Sequence, residues 1–279
     1  MTGKKLILAS LAAALLIAAP AESQTSIPAQ PTYADLADLA LAAPVAAHVR
    51  VKRAVRLKGA DAAGVAAGKT RFYVEADMLS LIQGAGGLPP QVSYVVDLPN
   101  LPSGKPPKLA KNSEFLLLAD KVAGRPGELR LIAPDAQIAW APQHGDSVRR
   151  ILGEASRSDA PPKISGIGRA FHVPGAVAGE SETQIFLQTA DGQPISLNVL
   201  RRPGEQPQWA VALSEVVDEA ARPPLPNSLL WYRLACTLPK TLPRHSFAEA
   251  EAEHGRAIEA DYRLILAQLG PCSRSRSRT

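Results

Sequence analysis

Val45, Ala47, Val49, Val51, Val55 and Leu57 share one parity, while His48, Arg50, Lys52 and Arg56 share the other. An alternation of period two, sustained this long, puts one side of an extended chain against a core and the other in water. Arg53 falls on the apolar parity and marks a bulge. Further strands follow at short intervals. Phe72, Val74, Ala76 and Met78 alternate with polar residues, and Val92, Tyr94, Val96 and Leu98 do the same. Residues 115–119 are almost continuously apolar, which suits a central strand, and 129–133 and 138–140 complete the set. The chain of 279 residues carries 25 Pro and 20 Gly against only 5% aromatics, a balance that disfavours a long helical bundle and favours short elements joined by turns.

A helix precedes the first strand. Thr32 and Asp35 form a capping pair, Tyr33, Leu36, Leu39 and Ala40 fall at helical spacing, and Pro44 stops it. A second helical pattern begins at Asp146 with Val148, Ile151 and Leu152. This order of parts, with Gly59 and Gly104 at turns, resembles the OB-like barrels of the netrin and metalloproteinase-inhibitor type over residues 33–153. The resemblance implies a small barrel. It does not carry the inhibitory activity, because this segment has no Cys and a mature chain starting at Glu22 has no N-terminal Cys to chelate a target metal.

Residues 157–163 are polar, contain Pro161-Pro162 and lack periodicity, so they read as a linker between a barrel domain at 32–156 and a second domain at 164–272. Short apolar runs at 164–173, 184–189, 194–200, 208–214 and 229–235 predict an antiparallel sheet or sandwich. Around Asp191-Gly192, only a three-residue loop, 190–192, puts Ile185 and Leu187 on the face of Ile195, Leu197 and Val199; a two-residue turn would invert that face. A closing helix is expected after a Ser246–Glu249 capping box, with Ile258, Tyr262, Ile265 and Leu269 as its stripe and Gly270-Pro271 as its stop. The fold class is therefore mainly β with flanking helices: an OB-like barrel, an antiparallel sheet or sandwich, then a C-terminal helix. Runs such as GESETQIFL, LRRPGEQPQW and LWYRLAC within 164–243 resemble exported bacterial proteins, a resemblance that brings no activity with it.

Residues 1–21 read as a secretory leader, with Lys4 and Lys5 before an apolar stretch and Ala19-Pro20-Ala21 before a cut at Glu22. That stretch is short for a bilayer span, so a periplasmic or secreted product is expected, with 22–31 as a loose lead-in. In an oxidising compartment the chain's two cysteines, Cys236 and Cys272, predict one disulfide. Residues 273–279, SRSRSRT, read as a disordered low-complexity tail. Lys4, Lys5, Arg274, Arg276 and Arg278 account for the whole net charge of +5, leaving residues 22–272 neutral. No basic body exists to hold a nucleic-acid backbone.

The five histidines have no metal-ligand spacing in sequence, and no zinc, calcium, phosphate-loop or dinucleotide motif is present, so no metal or cofactor is expected. A GxSxG elbow is missing as well. The exposed polar face of the first strand and a lysine-punctuated loop offer a cationic patch of Arg50, Lys52, Lys105, Lys108 and Lys111. These features point to a non-enzymatic binding or interaction module for a periplasmic protein or an anionic polymer. The alternative is an exported hydrolase assembled only in the fold, around His172, Glu180 and Glu182 with Arg169 nearby.

Overall fold

The computed structural model describes residues 30–213 and 222–276. The expected leader, most of the lead-in, and residues 277–279 of the tail lie outside the described residues. Helix α1 (Tyr33–Ala40) opens with both halves of its capping box: the Asp35 amide donates to Thr32 Oγ1, and the Thr32 amide donates to the Asp35 carboxylate. Strand β1 (Val45–Arg56) then buries Val45, Ala47, Val49 and Val51 on one side.

The bulge falls where the sequence marks it, at the cost of the pattern beyond it. Val51 lies opposite Ala76 and Arg53 opposite Glu75, so Lys52 is the extra residue. One inserted residue exchanges the two faces of a strand. Ala54 accordingly packs on the barrel core, and Val55, expected on the buried side, is 39% exposed.

β2 (Lys69–Gln83), β3 (Gln91–Pro99), β4 (Glu114–Lys121) and β5 (Glu128–Leu131) complete a ring with β1 in the order β1-β2-β3-β5-β4, closed by β1 pairing β4. All these pairs are antiparallel except β3 with β5, which meet in parallel at Ser93–Glu128 and Tyr94–Leu129. The continuous apolar run of β4 follows from its two buried faces. Leu117 and Ala119 point into the barrel, while Leu116 and Leu118 pack under α1 and α2 (Pro142–Ala155). A short β6 (Gln137–Ala139) shares the β5 edge of β4.

The second sheet is a meander of β7 (Ile164–Pro174), β8 (Ser181–Thr189), β9 (Ile195–Arg201) and β10 (Gln208–Ala212). Ile185 faces Leu197 and Leu187 faces Ile195. Continued, that register brings Thr189 opposite Gln193 and leaves 190–192 as the loop, with Gly192 at φ +76°. Burial of the isoleucine and leucine face therefore chooses the three-residue loop. Helix α4 (Ala252–Leu269) covers that face with Ile258, Tyr262 and Ile265, ending at Gly270.

Three expectations are corrected in this half. Leu229–Ala235 is a helix, α3, and not a strand: Ser228 Oγ caps it at the Trp231 amide, and Glu154 of α2 accepts from the Leu229 amide at 2.6 Å. A short apolar run is compatible with either element, and these two acceptors at its start decide. The Ser246–Glu249 capping box does not form. Ser246 lies in a single 3₁₀ turn, Arg244–Phe247, and α4 begins only after Glu251. Phe247 packs against α4 at Gly255, where an added Cβ would come within 3.3 Å of its ring, so the chain folds back before the helix starts.

The third correction concerns the tail, whose residues 273–276 are tied down. Arg274 pairs with Asp38 on α1 at 2.6 Å, and the Ser275 amide and hydroxyl both donate to Asp35. Arg276 grips Asp135 through two nitrogens at 2.7 Å, and the Thr32 hydroxyl donates to the Ser273 carbonyl. Three carboxylates converge on an Arg-Ser-Arg run that would otherwise be solvated. The Cys236–Cys272 disulfide is present and fixes the start of that run to the end of α3. The described residues from Pro31 onward form one compact unit, within which Tyr33 and Tyr232 pack against both the second-sheet core and the layer under α1 and α2.

Candidate functional sites

On the barrel, the expected cationic face divides. Arg50 donates from Nε and Nη2 to Glu114 at 3.0 and 2.8 Å, and His48 Nε2 meets the other Glu114 oxygen at 2.8 Å while stacking on Trp140. The Arg50 guanidinium, with help from His48, holds the Glu114 carboxyl below its usual range. Arg53 is likewise neutralised by Glu75. Arg50 therefore belongs to a β1–β4 ion pair, not to a free basic stripe.

The lysines remain. The bulge turns Lys52 outward, and the loop before β4 is zipped to β1 beside it: the Asn112 amide donates to Val51 O at 2.8 Å and the Val51 amide to Ser113 O at 2.9 Å. Asn112 adopts φ +68°, a conformation that asparagine tolerates better than most residues. Lys111 is thus set next to Lys52 across this pair of bonds. Lys105 and Lys108 stand exposed on the same loop, which Leu109 anchors to the barrel core. None of these four lysines makes an ion pair among the described residues.

A second site lies against β7, where the 3₁₀ turn and the start of α4 enclose a groove of about 330 Å³. Against it runs a chain of polar groups centred on buried Thr183 and Asp261. Asp261, 1% exposed, receives two hydrogen bonds from Arg201 at 2.8 and 2.5 Å and one from the Thr183 hydroxyl at 2.5 Å. His172 Nδ1 lies 2.8 Å from the same hydroxyl oxygen. A hydroxyl has one proton, and Asp261 takes it, so Nδ1 must be the donor to Thr183. The neutral ring is thereby fixed as its Nδ1–H tautomer, leaving Nε2 as the acceptor of a ring that lines the groove. Burial holds the His172 pKa below the ordinary imidazole value, Asp261 opposes that shift, and His254, its ring centroid 5.5 Å away, reinforces it.

The fold does not bring the other two residues of the hydrolase alternative to His172. Thr183 pairs with His172, so Glu182, opposite Val173, falls on the other face of the sheet. Glu180 folds over Gly175 in the β7–β8 turn. Arg169 does line the groove, facing Glu249 at 3.8 Å, and the remaining lining includes His245, Ser246 and His254. Ser246 Oγ is buried and has no hydrogen-bond partner among the described residues, a state that costs about 1–3 kcal/mol when nothing satisfies it. Sequence reasoning missed Thr183 and Asp261 and did not join Arg201 and His254 to His172. A signal for Asp261 was present: it interrupts the apolar stripe between Ile258 and Ile265 and must find a partner wherever that stripe is buried.

Among the described residues, no group of three or more His, Cys, Asp or Glu side chains is placed to hold a metal ion. No protein-family model matches the chain, and no curated protein matches it.

Proposed function

We propose that this chain is an exported, non-enzymatic binding module that presents the Lys52–Lys111 corner of its barrel, flanked by Lys105 and Lys108, to an anionic polymer. The observation that carries the reading is the pair of backbone bonds at Val51, which brings lysines from a strand and a loop to one edge. Export is supported by the disulfide and by the leader pattern of residues 1–21; no described helix is long and apolar enough to cross a membrane.

The test is retention of the mature chain on a polyuronate oligomer across a salt series. Binding is expected to weaken steeply with added salt and to fall roughly tenfold or more in Lys52→Glu/Lys111→Glu. Equal retention of that double variant, or retention indifferent to salt, refutes the reading. The hydrolase alternative keeps one supporting observation, the oriented His172 ring, and lacks the two glutamates it was built on.

A further inference from the structure

Three of the chain's five histidines, His172, His245 and His254, line one groove against β7. We propose that this groove is a proton-coupled oxyanion site, in which a carboxylate or a tetrahedral oxyanion accepts a hydrogen bond from protonated His172 Nε2, with Arg169 at the rim. The site is separate from the lysine corner of the barrel and does not depend on it.

Charged and titratable groups face His172 from every element packed against it. From β8 comes Thr183, from β9 Arg201, and from α4 Glu253, His254 and Asp261; its own strand adds Arg169, and the turn before α4 adds His245 and Glu249. Arg201 and Asp261 neutralise each other through two hydrogen bonds, and Arg169 is opposed by Glu249 at the rim. A proton added at Nε2 is favoured through space by Asp261 and Glu253 but meets no hydrogen-bonded counter-ion among the described residues. Glu253 acts on His172 only through space and makes no hydrogen bond to it among the described residues.

Protonation leaves the Nδ1–H bond to Thr183 intact, since Nδ1 is already the donor, and converts Nε2 from acceptor to donor. The relay is thus built to accept a proton without rearranging. An arriving anion gives Nε2–H a hydrogen-bonded acceptor and so stabilises the imidazolium; by linkage, the proton stabilises the bound anion equally. His254 lines the same groove, and so does Ser246, whose buried hydroxyl has no hydrogen-bond partner among the described residues.

Sulfate, whose charge is constant between pH 5.5 and 8, is the probe, with acetate as a second arm and imidazole nitrogen resonances of the full mature chain as the readout. Sulfate is expected to bind at pH 5.5 with the largest shift at His172 Nε2, and at least tenfold more weakly at pH 8. His172→Gln should abolish the pH dependence and His254→Gln should weaken binding several-fold, while Lys52→Glu/Lys111→Glu should leave both unchanged. Displacement of sulfate by acetate assigns carboxylate ligands, and failure to displace it assigns tetrahedral ones; either outcome supports the site. Binding that ignores pH, that persists in a folded His172→Gln variant, or whose shifts map to the barrel lysines overturns it.

Discussion

The barrel and the second sheet solve the same problem in opposite ways. Each of β1 to β5 has a neighbour on both sides, so the barrel has a closed interior and β4 can bury both of its faces. The meander of β7 to β10 has two ends and one covered face; its outer surface leaves Phe171 48% and Val173 62% exposed, with Phe171 and Phe186 meeting edge to face. Closure makes a sheet self-supporting, whereas an open sheet depends on what is laid across it. Here that cover is α4, held by the disulfide and by the Asp261 relay. The barrel correspondingly displays surface lysines, and the open sheet holds the polar chain centred on buried Asp261.

Removing the bridge in Cys236→Ser/Cys272→Ser should have the largest effect. The cysteines are 36 residues apart, and the chain-entropy model gives about 4 kcal/mol for a loop of that size. Urea titration with probes in both halves should show the loss in β7 to α4; an equal loss in the barrel would break the comparison. Asp261→Ala should cost about 2 kcal/mol by the same titration. That is less than for a fully buried pair, because the Arg201 side chain remains 36% exposed. A cost below about 0.5 kcal/mol would show that the relay does not hold the helix to the sheet.

Deleting residues 273–279 should cost about 1 kcal/mol and change the acid limb of stability. Burial pushes Asp35 up, but hydrogen bonds from Ser275 and Thr32 outweigh it and hold its carboxyl below the usual range; the Arg276 bond does the same for Asp135. Carboxyls lowered in the fold contribute stability above their unfolded values, about pH 4, and lose it as pH falls through the folded ones. The truncated chain should therefore lose less stability on acidification than the full chain, and identical acid limbs would contradict the clasp. The smallest effect belongs to His172. Its lowered pKa means that the folded state binds fewer protons than the unfolded one, so stability rises with pH between the folded value and about 6.5. His172→Gln should flatten that slope in anion-free buffer.

Much of the barrel was legible because its signal is local. The parity of β1 and β2, the double-sided run of β4 and the Thr32 cap each depend on neighbours in sequence. The Val55 error shows the limit even there, since Arg53 marked the bulge but not its effect on every later side chain. The groove was less legible because its partners come from β7, β8, β9 and α4, with Thr183 and Asp261 lying 78 residues apart. The tail was misread for the same reason: an Arg-Ser run is polar in any context, and nothing local to it reveals that Asp35, Asp38 and Asp135 converge where Cys272 delivers it. In the lysine corner, sequence named the residues and missed that Glu114 removes Arg50 from them.

Hydrogen exchange of the mature chain, with and without a thiol reductant, tests most directly the division between a self-supporting barrel and a conditionally held sheet. Amides of β7 to β10 and α4 are predicted to lose protection on reduction while those of β1 to β5 keep theirs. Simultaneous loss in both regions would contradict it.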